Sequence, residues 1–113
     1  MANPYRGGTA DVWYSAKRDL WVEYKFIVVP KRPDTIIDLI GGKKPMLSAL
    51  QQEWLNSRFD EGRNVWVIVG CKEGGVVFCG KSWMKPITTR EFRDELRTRD
   101  EIAKELVAFL TVK

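Results

Sequence analysis

The stretch "NVWVIVG", residues 64–70, constrains the fold more than any other part of this chain. Its almost unbroken run of apolar, β-branched and aromatic residues has the pattern of a strand buried on both faces. A two-sided strand needs neighbours, and the flanking sequence supplies them. "TADVWYS" reads as a short strand and "LWVEYKFIVV" as a longer one, with the polar "AKRD" between them as the turn of an antiparallel hairpin. "KEGG" then turns the buried strand into "VVFC", a second hairpin. The stretch "PKRPDTIIDLIGGKKP" holds three prolines and a Gly-Gly pair, so it is a long irregular connection. Its "TIIDLI" centre suits a short strand or a helical turn.

Helices fill the rest. "LSALQQEWLNSRFDEG" has Ser48 placed as N-cap, an apolar stripe of Leu47, Leu50, Trp54 and Leu55, and Gly62 as its stop. Thr88 with Glu91, and Thr98 with Glu101, each have capping-box spacing. The last helix gathers Ile102, Leu106, Val107 and Leu110 on one side. The order strand, strand, helix, strand, strand, helices predicts an α/β or α+β domain on one central mixed sheet flanked by helices.

At 113 residues the chain suits one domain with one core. No apolar run approaches the roughly 18 to 20 residues that span a bilayer, and "MANPYRGGTADV" lacks the apolar centre of a signal peptide. A cytoplasmic protein with no membrane partner is expected. Cys71 and Cys79, eight apart, do not have zinc spacing and suit reduced, partly buried thiols. The chain has no histidine. That excludes Ser-His and Cys-His hydrolases, zinc proteases and histidine-dependent metal nucleases. Catalysis here has to use carboxylates, lysine, hydroxyls or a metal held by oxygen. The net charge of +4 lies wholly in residues 1–87, which carry 13 basic and 9 acidic side chains, a modest bias toward a polyanionic partner.

Glu23 and Lys25 sit two apart in the second strand, so they project from one face. This is the one place in the chain where an acid stands two residues before a lysine. Asp11 stands near the start of the neighbouring strand. If the hairpin turn has three or five residues, Asp11 faces Glu23 or Lys25; with four it faces Tyr24 and the groups part. Converging carboxylates make an oxygen site for a hard cation such as Mg²⁺, beside which a lysine can orient the attacking water. The competing reading is an ordinary cross-strand salt bridge on a solvated sheet.

"TAD" followed by "VEYK" resembles the PD-(D/E)xK nuclease core, with Ala10 where proline is usual. "LSALQQEWLNSRFDEGRNVWVIVG" is similar to the segment that follows that core in the VRR-NUC branch, related to Holliday-junction resolvases. The resemblance runs from about Gly8 to Gly70, and the small size looks most like phage-encoded members, which would place the protein in a host cytoplasm. It implies a restriction-endonuclease-like α/β core over residues 8–80, with C-terminal helices over 88–113, in one nuclease domain. It also implies that Asp11, Glu23 and the backbone carbonyl of Tyr24 bind Mg²⁺ or Mn²⁺. Lys25 would position or activate the attacking water, and Gln51 would support the lysine and the water. Relatives often carry a further glutamate on a helix before the aspartate. The ten residues before Asp11 contain no acid, so a two-metal site is not implied.

The expected function is a metal-dependent DNA endonuclease selective for branched DNA, working as a homodimer. The alternative is a non-catalytic protein that binds nucleic acid or a host factor on the same fold. Lys17, Arg18, Lys31, Arg32, Lys43 and Lys44 are candidate phosphate contacts, each weighed against a solvated turn. Trp54 and Trp66 are expected in the core. Trp13 and Trp21 lie near the proposed site, with their role open.

Overall fold

The computed structural model describes residues 10–112. Its central strand, β4 (Val65–Cys71), is the expected apolar run. Val65, Val67, Val69 and Cys71 enter one core cluster, while Trp66 and Ile68 enter another. Successive residues of a strand point to opposite faces, so a strand covered on both sides has no position left for a polar residue.

β1 (Val12–Ser15) and β2 (Asp19–Phe26) form the expected antiparallel hairpin, and β5 (Gly74–Cys79) pairs antiparallel with β4 on its other side. β2 and β4 run parallel, which completes a mixed four-stranded sheet of order β1-β2-β4-β5. A parallel neighbour needs a crossover. Here it comprises the long connection, a two-residue strand β3 (Ile36–Ile37), and helix α1 (Ala49–Asp60). The "TIIDLI" segment therefore holds a short strand, limited to Ile36–Ile37. It pairs with β6 (Ile87–Thr88), and Thr89 fastens the segment by donating both its backbone N–H and its hydroxyl to the Thr35 carbonyl, each at 2.8 Å.

One face of the sheet is covered by Leu55 of α1, together with Ile37, Leu39, Leu47, Trp83 and Phe92. Phe92 belongs to the short helix α2 (Thr89–Asp94). The other face is covered by α3 (Arg99–Thr111) through Ile102, Leu106, Phe109 and Leu110. Both C-terminal helices have their capping boxes, Thr88 with Glu91 and Thr98 with Glu101. Residues 10–112 thus form an α/β structure with a mixed sheet between helical layers.

Two residues of the expected apolar stripes lie elsewhere. Leu50 is 58% exposed and Val107 60% exposed. Each residue of an α-helix turns about 100°. The face of α1 toward the sheet follows Gln51 and Leu55, four apart, which rotates Leu50 outward. On α3 the inward row is Ile102, Leu106, Phe109 and Leu110, and Val107 is turned away from it. Trp66 is buried as expected, whereas Trp54 is only partly buried at the edge of its cluster.

The glycines of "KEGG" open β5 rather than forming the turn. Gly74 has φ +148°, and a Cβ there would come within 2.1 Å of the Arg97 carbonyl oxygen. Gly75 and Arg97 exchange backbone hydrogen bonds of 3.0 and 2.9 Å. This close approach fixes where α3 begins. Cys71 is buried and Cys79 exposed, both unpaired. The strand expected over "TADVWYS" begins only at Val12, with Ala10 and Asp11 ahead of it, and residues 1–9 lie outside the described residues.

Candidate functional site

The hairpin turn decides the site. Ser15 pairs with Asp19, leaving three residues in the turn, and the ladder runs back to Val12 opposite Val22. One step further places Asp11 opposite Glu23. Cross-strand partners share a face, so Asp11, Trp13, Trp21, Glu23 and Lys25 all project on the α1 side. Leu20 and Val22 project toward α3. Asp11 is exposed, and its Oδ2 accepts the Tyr24 backbone N–H at 2.9 Å. In a strand the N–H and C=O of one residue point the same way, so the Tyr24 carbonyl also lies on the Asp11 side of β2.

Glu23 is almost wholly buried, 1% exposed. The Gln51 side-chain nitrogen donates to its Oε2 at 3.0 Å, and the Lys25 ammonium lies 3.5 Å from the same oxygen. Among the described residues its Oε1 is buried without a hydrogen-bond partner of normal geometry. Burial pushes the Glu23 carboxyl up to about 7, and the nearby Asp11 charge adds to this, while Lys25 pulls it down by attraction and hydrogen bonding and the Asp11 backbone N–H lowers it slightly, from beyond good hydrogen-bond geometry. A buried carboxylate oxygen without a partner is unfavourable. A bound cation would remove that penalty.

Gln51 is oriented from two ends. At the N3 position of α1, its Oε1 accepts the Ser48 backbone N–H at 2.9 Å, while the Ser48 hydroxyl accepts the Gln51 N–H. With the oxygen held in the capping box, the amide nitrogen is left to face Glu23. The amide thus reaches Glu23, two residues from the Lys25 it was expected to support. The sequence expectation for Ser48 is an N-cap alone; the Ser-x-x-Gln spacing is the signal that could have shown Gln51 closing a capping box, but nothing local shows its amide aimed at the sheet.

The candidate basic residues lie on three separate segments. Lys17 and Arg18 lie in the hairpin turn, at the far end of β2 from Lys31 and Arg32. Both turn residues donate their backbone N–H to the Leu110 carbonyl. Arg18 also donates through Nε to the Val112 carbonyl at 3.2 Å, with its guanidinium 4.9 Å from the Phe109 ring centre. That side chain is engaged with the end of α3. Lys31 and Arg32 are exposed on the connection after β2. Lys43 and Lys44 are exposed on a loop closed by a 2.9 Å bond from Leu47 N–H to the Leu39 carbonyl, directly before α1.

Two carboxylates and one carbonyl are hard oxygen donors, as Mg²⁺ or Mn²⁺ requires, and Mg²⁺ commonly keeps several waters. The orphaned Glu23 Oε1 fits such an ion. Among the described residues no group of three or more His, Cys, Asp or Glu side chains is gathered as a larger metal cluster. No described helix is long and apolar enough to cross a membrane. No protein-family model, curated protein or solved structure matches the chain.

Proposed function

We propose that this chain is a Mg²⁺- or Mn²⁺-dependent DNA endonuclease with a restriction-endonuclease-like core. The observation that carries the proposal is the buried Glu23 carboxylate, with one oxygen held by Gln51 and the other without a side-chain partner among the described residues, beside Lys25 and across from Asp11. A salt bridge on a solvated sheet would not bury its acid or leave an oxygen unsatisfied.

Asp11, Glu23 and the Tyr24 carbonyl would hold the cation. When bound, the cation stabilises charge developing on the phosphate and acidifies a water. Gln51 keeps Glu23 in the rotamer that presents Oε1. Lys25 places its ammonium where it orients the attacking water. Lys17, Lys31, Arg32, Lys43 and Lys44 are the candidate phosphate contacts, and a cut through both strands calls for two copies of the chain. Branched DNA is the proposed substrate.

The test is Lys25→Ala, assayed with Mg²⁺ or Mn²⁺ on linear, nicked and four-way DNA. Both carboxylates remain in this variant and a repelling positive charge is gone. It should lose cleavage while keeping its circular dichroism spectrum and calorimetric cation binding. Cleavage at the wild-type rate would reduce the Glu23–Lys25 pair to a structural ion pair. A second reading, non-catalytic binding of nucleic acid or a host factor, draws on the absence of a larger acidic cluster among the described residues. It predicts DNA binding without cleavage of any of the three substrates.

A further inference from the structure

Trp13 and Trp21, cross-strand partners on the α1 side of the sheet, stack with ring centres 5.6 Å apart and planes 24° from parallel. Trp21 meets Trp54 edge-on at 5.0 Å, and the Arg58 guanidinium lies 5.5 Å from the Trp54 ring centre. The ladder begins in the hydrophobic cluster, where Trp21 and Trp54 pack, and ends at Trp13, which is 51% exposed. Trp13 also lies two residues from Asp11, and Trp21 two residues from Glu23, each pair on one face. Two strand residues span about 6.6 Å, so the open indole is within reach of a nucleoside whose phosphate lies at the carboxylates.

We infer that Trp13 is a stacking platform for an unpaired DNA base beside the scissile phosphate, so that the site prefers strands with at least one unstacked nucleotide. This rests on the nuclease reading only in placing a phosphate at Asp11 and Glu23. Three features favour a base as the occupant. The exposed ring is held flat from beneath by Trp21, so little order is lost on stacking. It stands at the edge of the sheet, where a base can enter but a paired duplex base cannot without leaving its stack. Lys25 on the same face supplies positive charge for the adjoining backbone. Base–aromatic stacking contributes roughly 1 to 3 kcal/mol per base, about a fivefold to hundredfold change in affinity.

The experiment measures binding of a fluorescein-labelled 15-nucleotide oligo-dT and of a fully paired 15-base-pair duplex, by anisotropy in Ca²⁺, a cation that oxygen ligands also hold and that keeps the carboxylates from repelling the phosphate. It compares wild type, Trp13→Phe and Trp13→Leu, with thermal melts showing that each is folded. Leucine keeps the apolar contact with Trp21 but removes the π face. Trp13→Leu should weaken oligo-dT binding at least fivefold, Trp13→Phe by no more than about threefold, and neither should alter duplex binding. Wild-type tryptophan emission should be quenched by oligo-dT, and less so in Trp13→Leu. Equal oligo-dT affinities for Phe and Leu variants would overturn the inference, as would equal losses on duplex and single strand. Cleavage on the four-way substrate separates the two readings: a cutting enzyme indifferent to Trp13→Leu defeats this inference alone. Trp13-dependent oligo-dT binding without any cleavage defeats the nuclease reading alone.

Discussion

Glu23 is held in an environment that suits its protonated form, and this has a direct consequence for stability. Its carboxyl is raised from 4.5 to about 7 by burial first and by Asp11 second. Between those values the folded chain holds a proton that the unfolded chain has released. The metal-free protein therefore loses stability as pH rises from about 4.5 to 7, and regains none above it. The penalty at pH 8 is on the order of 3 kcal/mol. Glu23→Gln keeps an oxygen to accept the Gln51 amide and removes the charge. In EDTA this variant should melt several degrees above wild type at pH 8 and close to it at pH 4.5, with no stabilisation on adding Mg²⁺. Equal melting temperatures at pH 8 would mean that the buried charge is already compensated without a cation. Lys25 is the group placed to do that, at 3.5 Å and partly exposed.

At the scale of the element, α1 carries two tasks through one side chain. Gln51 completes the capping box with Ser48 and also donates to Glu23. Gln51→Ala removes the reciprocal cap bond and the amide that fixes Glu23. Losing one half of a cap and one buried hydrogen bond should cost roughly 1 to 2 kcal/mol in urea unfolding. Cleavage should fall further than stability, because Oε1 is no longer presented in one rotamer. A stability loss with unchanged cleavage would leave Gln51 a capping residue only. The other two boxes lack this second task. Glu91 and Glu101 are solvent-exposed, and backbone hydrogen bonds to Thr88 and Thr98 hold their carboxyls below the usual range. Their contribution is present above that range and fades as the carboxyls protonate in acid.

For the whole molecule, the candidate basic residues sit on three segments, the hairpin turn, the connection after β2 and the loop before α1, and act on DNA through the number of phosphates touched. Each contact lowers the slope of log affinity against log salt by about 0.7 to 0.9. Replacing Lys43 and Lys44 together with alanine should therefore flatten that slope by about 1.5 and weaken DNA binding at low salt. An unchanged slope would assign the loop to solvent. The same scale separates what was legible in the residues from what was not. The buried strand, both hairpins, α1 with its Ser48 cap and the two C-terminal capping boxes could be read directly, because periodicity, turn chemistry and caps act over a few neighbouring residues. So could the pairing of Glu23 with Lys25 on one face. The turn length was not among these signals: "AKRD" allowed three registers or faces for Asp11, and a one-residue slip would have moved it to the opposite side. Leu50 and Val107 looked like core residues, because a helix's apolar stripe does not say which side of it packs inward. The meeting of Gln51 with Glu23, the orphaned Oε1 and the tryptophan ladder were decided only by the tertiary structure. Each depends on the crossover setting α1 down over β2, and burial is a property of what lies above a side chain, which no local pattern encodes.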